Sequence, residues 1–488
     1  MFGGTPNFFS YLALLLFLPI AFLSFLFFRP IVATTWLMLG AMLYLPERVE
    51  VDPPVLPPIN KQSIAALCIF IGCLVRAWAR VKQAKPLRGI DFSFVLASIG
   101  FVITNLQNSD PQVFGPTHLP GTTLYDAFAG NIKDALVIYL PFLIGRAMYR
   151  SAADLRTFLQ ILCASLILYA PLIFWELRMS PRCHYDVYGF MQTDFQMTLR
   201  GGGYRPMVFM NGGLALAMFV LSAGVAALAL YRSKERIPVP GIAKLRAGPV
   251  SSFFALLVVL MKSTGAIVYA VVCMPLLAFM RKPRMRLALF LAILVLAYPL
   301  LRATKLFPTD LIVSVAEEFS KERALSIWFR FFNEDQLLER AAQRRWFGWS
   351  GYGRFRVYDP STGEDLSVTD GAWIIDLGSR GIWGFACYYG MLVYPIFVAF
   401  RRLRSIPEIS DRWLVAGMGL IVALNATDLL PNGLFNYFPY YFSGVLMGVL
   451  EGKRWTIRAH EEKMLRHEAR KQSRMKVKWA VPSPSGAA

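Results

Sequence analysis

Residues 11–28 read "YLALLLFLPIAFLSFLFF", eighteen positions without a charge. At 1.5 Å of rise per residue, an apolar run of about 18–20 residues matches the hydrocarbon thickness of a bilayer. In lipid each backbone amide must bond within its own segment, so such a run is a helix. The stretch "LALFLAILVLAYPLL" (287–301) repeats the pattern, and 56% of the 488 residues are hydrophobic. Apolar blocks fall at 8–28, 30–46, 62–78, 91–106, 132–149, 156–175, 206–231, 250–262, 264–280, 285–302, 381–400, 412–429 and 434–450. They predict an all-α polytopic membrane protein of about 12–13 transmembrane helices. The blocks at 30–46, 250–262 and 264–280 are short, as tilted, broken or re-entrant helices are. The start "MFGGTPNFFS" lacks a basic n-region, so the first block reads as a retained span and not a cleaved signal.

Charge orients the chain. The basic loops at 76–88, 232–246, 281–286 and 401–405 alternate correctly as cytoplasmic loops if the N-terminus starts outside. The basic tail then falls inside, and the loops at 107–131, 176–205 and 303–380 fall outside. This divides the chain into N-terminal helices and outer loops (1–200), central helices with a short tandem pair (201–302), a long extracytoplasmic loop (303–380), C-terminal helices (381–452) and a cytoplasmic tail (453–488). The net charge of +20 fits loops that contact anionic lipid, with no nucleic-acid partner. Five of six cysteines lie in or beside apolar blocks, and only Cys183 lies in a polar loop, which gives no disulfide framework or metal spacing. There is no phosphate loop, HExxH, CxxC or internal repeat, and no soluble motor domain of the kind a nucleotide-driven pump needs.

The long outer loop is unexpectedly rich in arginine. Over 313–346, Leu325, Trp328, Phe332, Leu338, Ala341 and Ala342 recur at near-helical spacing, which predicts amphipathic helices at the membrane interface. Arg330 and Glu334 stand at i,i+4, so a surface salt bridge is the plainer reading for Arg330. Arg340 and Arg344 stand at the same spacing with like charge, and Arg345 follows. Such a pair calls for an anion, either lipid headgroups or a bound diphosphate. In "QRRWFGWSGYGRFRVYD" (343–359), Gly348, Gly351 and Gly353 precede and flank Arg354 in a turn that is either merely flexible or brings backbone amides to a ligand. The tryptophans read as interface anchors. Further on, Asp376 and Arg380 pair at i,i+4. Asp370 has no local partner. Helix N-capping is its plain reading and chemistry its sharper one. Arg200 and Arg205 bracket a glycine run in "LRGGGYRPMVFMNGG" (199–213), where snorkelling to the interface is the plainer role. Lys262 lies in the turn between two short blocks.

Taken together, "RPMVFMNGGLALA" (205–217), "LLVVLMKSTGAIVYAVV" (256–272) and "RRWFGWSGYGRF…VTDGAWIIDLGSRGIWGF" (344–385) resemble the bacterial O-antigen ligase and O-antigen polymerase superfamily, over roughly residues 200–450. The resemblance implies a GT-C-like enzyme of the bacterial inner membrane. It would perform metal-independent, inverting glycosyl transfer in O-antigen, capsule or exopolysaccharide synthesis, without a cofactor. The donor would be a glycan on undecaprenyl diphosphate and the acceptor a hydroxyl on a glycan or a lipid core. Membrane lipids and other polysaccharide export proteins complete the implied partners. Asp370 would orient or deprotonate the acceptor, with Arg205 and Arg344 as the other catalytic groups. Arg200, Lys262, Arg330, Arg340, Arg345 and Arg354 would hold the diphosphate, whose developing charge fixed cations stabilise. Ligases of this kind carry His-Asn where Asp370-Gly371 stands, and Ser-Arg at the short-helix turn where Lys262-Ser263-Thr264 stands. These departures favour polymerase-like work and assign the arginine's task to Lys262. The alternatives are a flippase for the same lipid-linked glycan and a non-catalytic scaffold of an export machine. Transporters show ionisable groups within the membrane, whereas here only Asp428 looks close to an apolar block.

Overall fold

Each apolar block contains a helix in the computed structural model, which describes residues 4–53, 57–433 and 436–452. The tail expected at 453–488 lies outside them. The helices are α1 (Phe8–Phe27), α2 (Pro30–Tyr44), α3 (Lys61–Ala84), α4 (Phe92–Leu106), α5 (Leu124–Asp134), α6 (Leu140–Met148), α7 (Ala152–Met179), α8 (Cys183–Tyr188), α9 (Gly213–Arg232), α10 (Ala247–Leu260), α11 (Thr264–Phe279), α12 (Arg286–Ala303), α13 (Thr309–Phe319), α14 (Lys321–Ala342), α15 (Ala372–Arg402), α16 (Ile409–Asp428) and α17 (Phe438–Glu451). Three short antiparallel hairpins, at 112–119, 199–204 and 236–246, are the strands among the described residues. The chain is thus mostly helical. Nine described helical segments are long and apolar enough to cross a membrane, as an all-α polytopic membrane protein requires, and α2, α10 and α11 are shorter apolar helices.

The core forms around α9, which packs on α7, α10, α11 and α16. Its sequence alternates small and large residues, and nearly every side chain is buried. Small residues let neighbouring backbones approach, and dispersion then holds helices together where lipid offers no hydrophobic gain. The α6–α17 crossing uses the same device. A Cβ on Gly145 would stand 2.6 Å from the Tyr441 carbonyl oxygen and 2.7 Å from the Val445 nitrogen.

Several boundaries differ from the expected ones, and the block expected at 132–149 starts eight residues early, at Leu124 inside the loop expected at 107–131. Residues 206–212 are irregular, because Pro206 and a set of buried polar partners hold the backbone there before α9 begins at Gly213. The C-terminal block begins at Ala372, nine residues early, so the long loop ends at 371. On α14, Leu325, Trp328 and Phe332 point outward and Ala341 inward, so one helix carries two apolar faces.

Candidate functional site

Helix α15 is broken at Gly381, whose φ of 66° and ψ of −172° suit essentially only glycine. The break frees backbone groups on both sides, and the 344–350 segment takes them up. Trp349 N–H and Ser350 N–H donate to the Gly378 and Ser379 carbonyls, each at 2.8 Å. In return Ile382 N–H donates to the Arg345 carbonyl (2.8 Å) and Trp383 N–H to that of Trp346 (3.1 Å). Gly348, at φ 76°, sits so close that a Cβ would stand 2.6 Å from the Arg380 and Gly381 nitrogens. The glycine-rich turn therefore does not offer the Trp349 and Ser350 amides to a ligand. It interlocks with a broken helix.

The arginines around this interlock are also structural. Trp349 is buried with the Arg340 guanidinium 3.6 Å and the Arg344 guanidinium 4.4 Å from its ring centre. The ring beside both cations offers each a cation–π partner, as an anion was expected to do. Arg340 donates to Gln112 (2.9 Å), to Gln343 (3.0 Å) and to the Arg354 carbonyl. Burial, then the charges of Arg344 and Arg354, push its pKa down to about 10. Arg344 donates to the Gln107 carbonyl and lies 3.7 Å from Asp110. Arg354 is fully buried and donates to the Asp110 (2.7 Å) and Pro120 (2.9 Å) carbonyls. Arg345 is exposed and contributes its carbonyl to the interlock. Among the described residues, none of these four hydrogen-bonds or ion-pairs with Arg205, Lys262 or Asp370. Arg340, Arg344 and Arg354 staple the 107–120 loop to the 340–354 segment. Trp349 is accordingly no interface anchor, whereas Trp346 is exposed as one would be.

A second cationic group is built differently. The run 199–204 forms a hairpin whose central Gly201 (φ 53°) and Gly202 (φ 69°) make a type I′ turn. Gly203 leaves room for Lys262, since a Cβ there would stand 2.5 Å from its Nζ. Lys262 donates to the Arg200 carbonyl (3.1 Å) from a left-handed position (φ 51°) in the α10–α11 turn. Gly213 likewise admits Arg205, whose Nε and Cδ would lie 2.6 and 2.7 Å from a Cβ. Arg205 is 9% exposed, and its Nε finds no hydrogen-bond partner among the described residues. Burial pushes its pKa down to about 10, helped by the Arg200 charge and opposed by Asp428. Asp428 ends α16, accepts from Asn432 Nδ2 (2.8 Å) and lies within electrostatic reach of both Arg205 and Arg330.

Arg330 does not pair with Glu334. It pairs with Asp370 at 2.9 Å, both side chains being 40% exposed. Asp370 thus has a partner forty residues away in sequence. It is not the cap of α15 either, because Gly371 holds that position and no side chain caps it. Glu334 is buried with Arg302 (3.0 Å), Tyr298 (3.1 Å) and Trp373 (3.4 Å), which clamps α14 to α12 and α15. Burial raises its pKa despite Arg302. The structure therefore joins Arg200, Arg205, Lys262, Arg330, Asp370 and Asp428 at one end of the bundle, and separates Arg340, Arg344, Arg345 and Arg354 from them by partner.

The polar residues that hold the irregular 205–210 backbone were missed in the sequence. Glu176 accepts from Met207 N–H and Val208 N–H, each at 2.8 Å, and from Cys183 N–H at 3.0 Å. Tyr169 OH accepts from Phe209 N–H (3.1 Å), and Gln192 donates to the Val208 carbonyl (3.0 Å). Lys61, buried, donates to the Phe209 carbonyl (3.0 Å) and pairs with Glu47 (2.6 Å). Lys61 and Glu176 each fall one residue outside an apolar block, which is the signal that marks them. Among the described residues no three His, Cys, Asp or Glu side chains gather as metal ligands would. Compared with known proteins, the chain matches no family model and no curated sequence.

Proposed function

We propose that the chain is a membrane glycosyltransferase of the O-antigen polymerase and ligase kind, polymerase-like. It would lie in the bacterial inner membrane with about 12–13 spans and its N-terminus outside. The observation that carries this reading is Arg205, a buried guanidinium whose side chain makes no hydrogen bond or ion pair among the described residues, whereas Arg354, with Nε and Nη2 also unpartnered, has its Nη1 held by two carbonyls. A buried cation requires a counter-charge, and a bound lipid diphosphate supplies one. Arg200 on the neighbouring hairpin, and Lys262, which reaches it from the α10–α11 turn, add positive charge. In the reaction an acceptor hydroxyl oxygen attacks the anomeric carbon while the bond to the diphosphate oxygen breaks. The electron pair leaves on the diphosphate, where Arg205 and Lys262 stabilise it. The proton passes to Asp370, which Arg330 holds at 2.9 Å. The test is donor consumption by the purified protein in vesicles. Asp370→Asn and Arg205→Gln are expected to abolish product while the protein stays in the membrane, and wild-type product from both overturns the assignment.

One observation favours the transport reading. Asp134, Asp376 and Arg380 form a charged network on helices α5 and α15, at a helix break of the kind that transporters use. Movement of donor across vesicles without its consumption decides for transport.

A further inference from the structure

That network borders a cavity of about 280 Å³, near the lower end of small-molecule sites. Helix α5 ends at Asp134 and runs into a π-helical turn, Ala135–Tyr139, a distortion frequent at functional positions. Asp134 is engaged on both oxygens, by Arg380 Nη2 (2.9 Å) and by Tyr388 OH (2.7 Å). Asp376 lines the cavity 3.5 Å from Arg380 Nη1, at the limit of a hydrogen bond, so its carboxylate retains acceptor capacity. Tyr389 and Tyr440 also line it. The Tyr389 side chain is fully buried, and its hydroxyl stands against the Asp376 carboxylate, which it orients toward the cavity's Arg380 side.

The charge pattern selects the kind of ligand. Lys133 and Arg380 balance Asp134 and Asp376 in the lining, so neither an anion nor a cation is favoured. A neutral hydroxyl both donates to a carboxylate and accepts from a phenol. Ile375, Leu429 and Pro439 add an apolar wall suited to the C–H face of a sugar ring. The place fits as well. Leu429 follows Asp428 directly, Ala372 lies two residues after Asp370, and Ala372 N–H donates to the Leu429 carbonyl at 3.0 Å, so this cavity and the Arg205 group share a wall.

The geometry points to a subsite for one neutral pyranose ring, the acceptor-side sugar of the glycan, held by Asp376 and Tyr440. This inference rests on the transferase reading, because a transferase must bring an acceptor beside the diphosphate-linked donor. The test is thermal unfolding of the full-length protein in nanodiscs with methyl glucoside, methyl galactoside, methyl mannoside, sodium chloride against choline chloride, and farnesyl diphosphate. At least one glycoside is expected to raise the unfolding temperature. Asp376→Asn is expected to weaken that binding at least about tenfold, the loss of a hydrogen bond to a charged group, and Tyr440→Phe at least about threefold, the loss of a neutral one; both are expected to leave the farnesyl diphosphate shift intact. Where Asp376→Asn fails to fold, Tyr440→Phe decides, since it removes a hydroxyl and almost no volume. The inference is overturned by a farnesyl diphosphate shift with no glycoside shift, by a shift with sodium alone, or by glycoside binding unchanged in Tyr440→Phe. A glycoside shift without a farnesyl diphosphate shift supports the cavity and removes the diphosphate reading.

Discussion

Gly381→Ala attacks the interlock between the glycine-rich turn and α15. An alanine forced to φ 66° and ψ −172° carries a backbone cost of about 1–3 kcal/mol. Its Cβ would also stand 2.5 Å from the Phe347 nitrogen and against the Trp346 carbonyl. Backbone atoms cannot rotate away, so the two segments must part. The nearest hydrogen bonds, Ile382 N–H to Arg345 and Trp383 N–H to Trp346, then loosen at about 1 kcal/mol each. The sum is about 3–5 kcal/mol. Gly348→Ala acts on the same interlock from the other side, so the double variant is expected to fall short of additivity by about 1 kcal/mol or more. Gly351→Ala is the control, because a Cβ there meets nothing within 4 Å. Unfolding in detergent, followed by tryptophan fluorescence, measures the loss, and hydrogen exchange of the 345–350 amides locates it. Wild-type stability and full amide protection in Gly381→Ala refute the reasoning, as does strict additivity.

Three further outcomes follow from the packing. His184 is buried, with Nδ1 against the Phe190 carbonyl (2.8 Å) and Nε2 accepting from Glu47 N–H (3.0 Å), and burial pushes its pKa down to about 4. The unfolded chain binds that proton first, so stability falls as pH drops from about 6.5 towards 4, by about 3 kcal/mol in all. His184→Gln should lose less stability than wild type over that window, and equal losses in unfolding temperature contradict the assignment. Glu334→Ala removes one member of a buried pair and is expected to cost about 3 kcal/mol, whereas Asp370→Asn opens an exposed pair and should cost under about 1 kcal/mol. Unfolding temperatures of the two variants distinguish these roles. Arg344→Ala is expected to lower stability, through Trp349 and Asp110, and to leave diphosphate affinity within about twofold, less than 0.5 kcal/mol. A large loss of affinity measured by titration returns Arg344 to the site.

The helices were legible because each apolar block is a local property of length and composition. The glycine run at 201–203 was noted without its hairpin, and 313–346 was read as amphipathic helices without the second apolar face of α14. Partner choice was not legible. Glu334 stands four residues from Arg330 and pairs with Arg302, thirty-two residues away, because tertiary packing and not helical spacing buries it. Arg354 takes carbonyls of Asp110 and Pro120, more than two hundred residues distant. The glycines of 343–353 were correctly read as special, but a ligand and a broken helix ask the same of glycine, namely a positive φ and close approach. Only the position of Gly381, thirty-three residues beyond Gly348, separates the two. The buried network at Asp134 and Arg380 was hidden for the same reason, since its members lie on helices far apart in sequence.

Arg205 is the cation proposed to receive a lipid diphosphate. Titration of undecaprenyl diphosphate into the purified protein in nanodiscs tests this directly. Saturable binding to wild type and Arg344→Ala, weakened at least about tenfold in Arg205→Gln, is the result predicted, since tenfold corresponds to about 1.4 kcal/mol for one lost charge-assisted contact. Equal affinity in wild type and Arg205→Gln, or no binding to wild type, contradicts it.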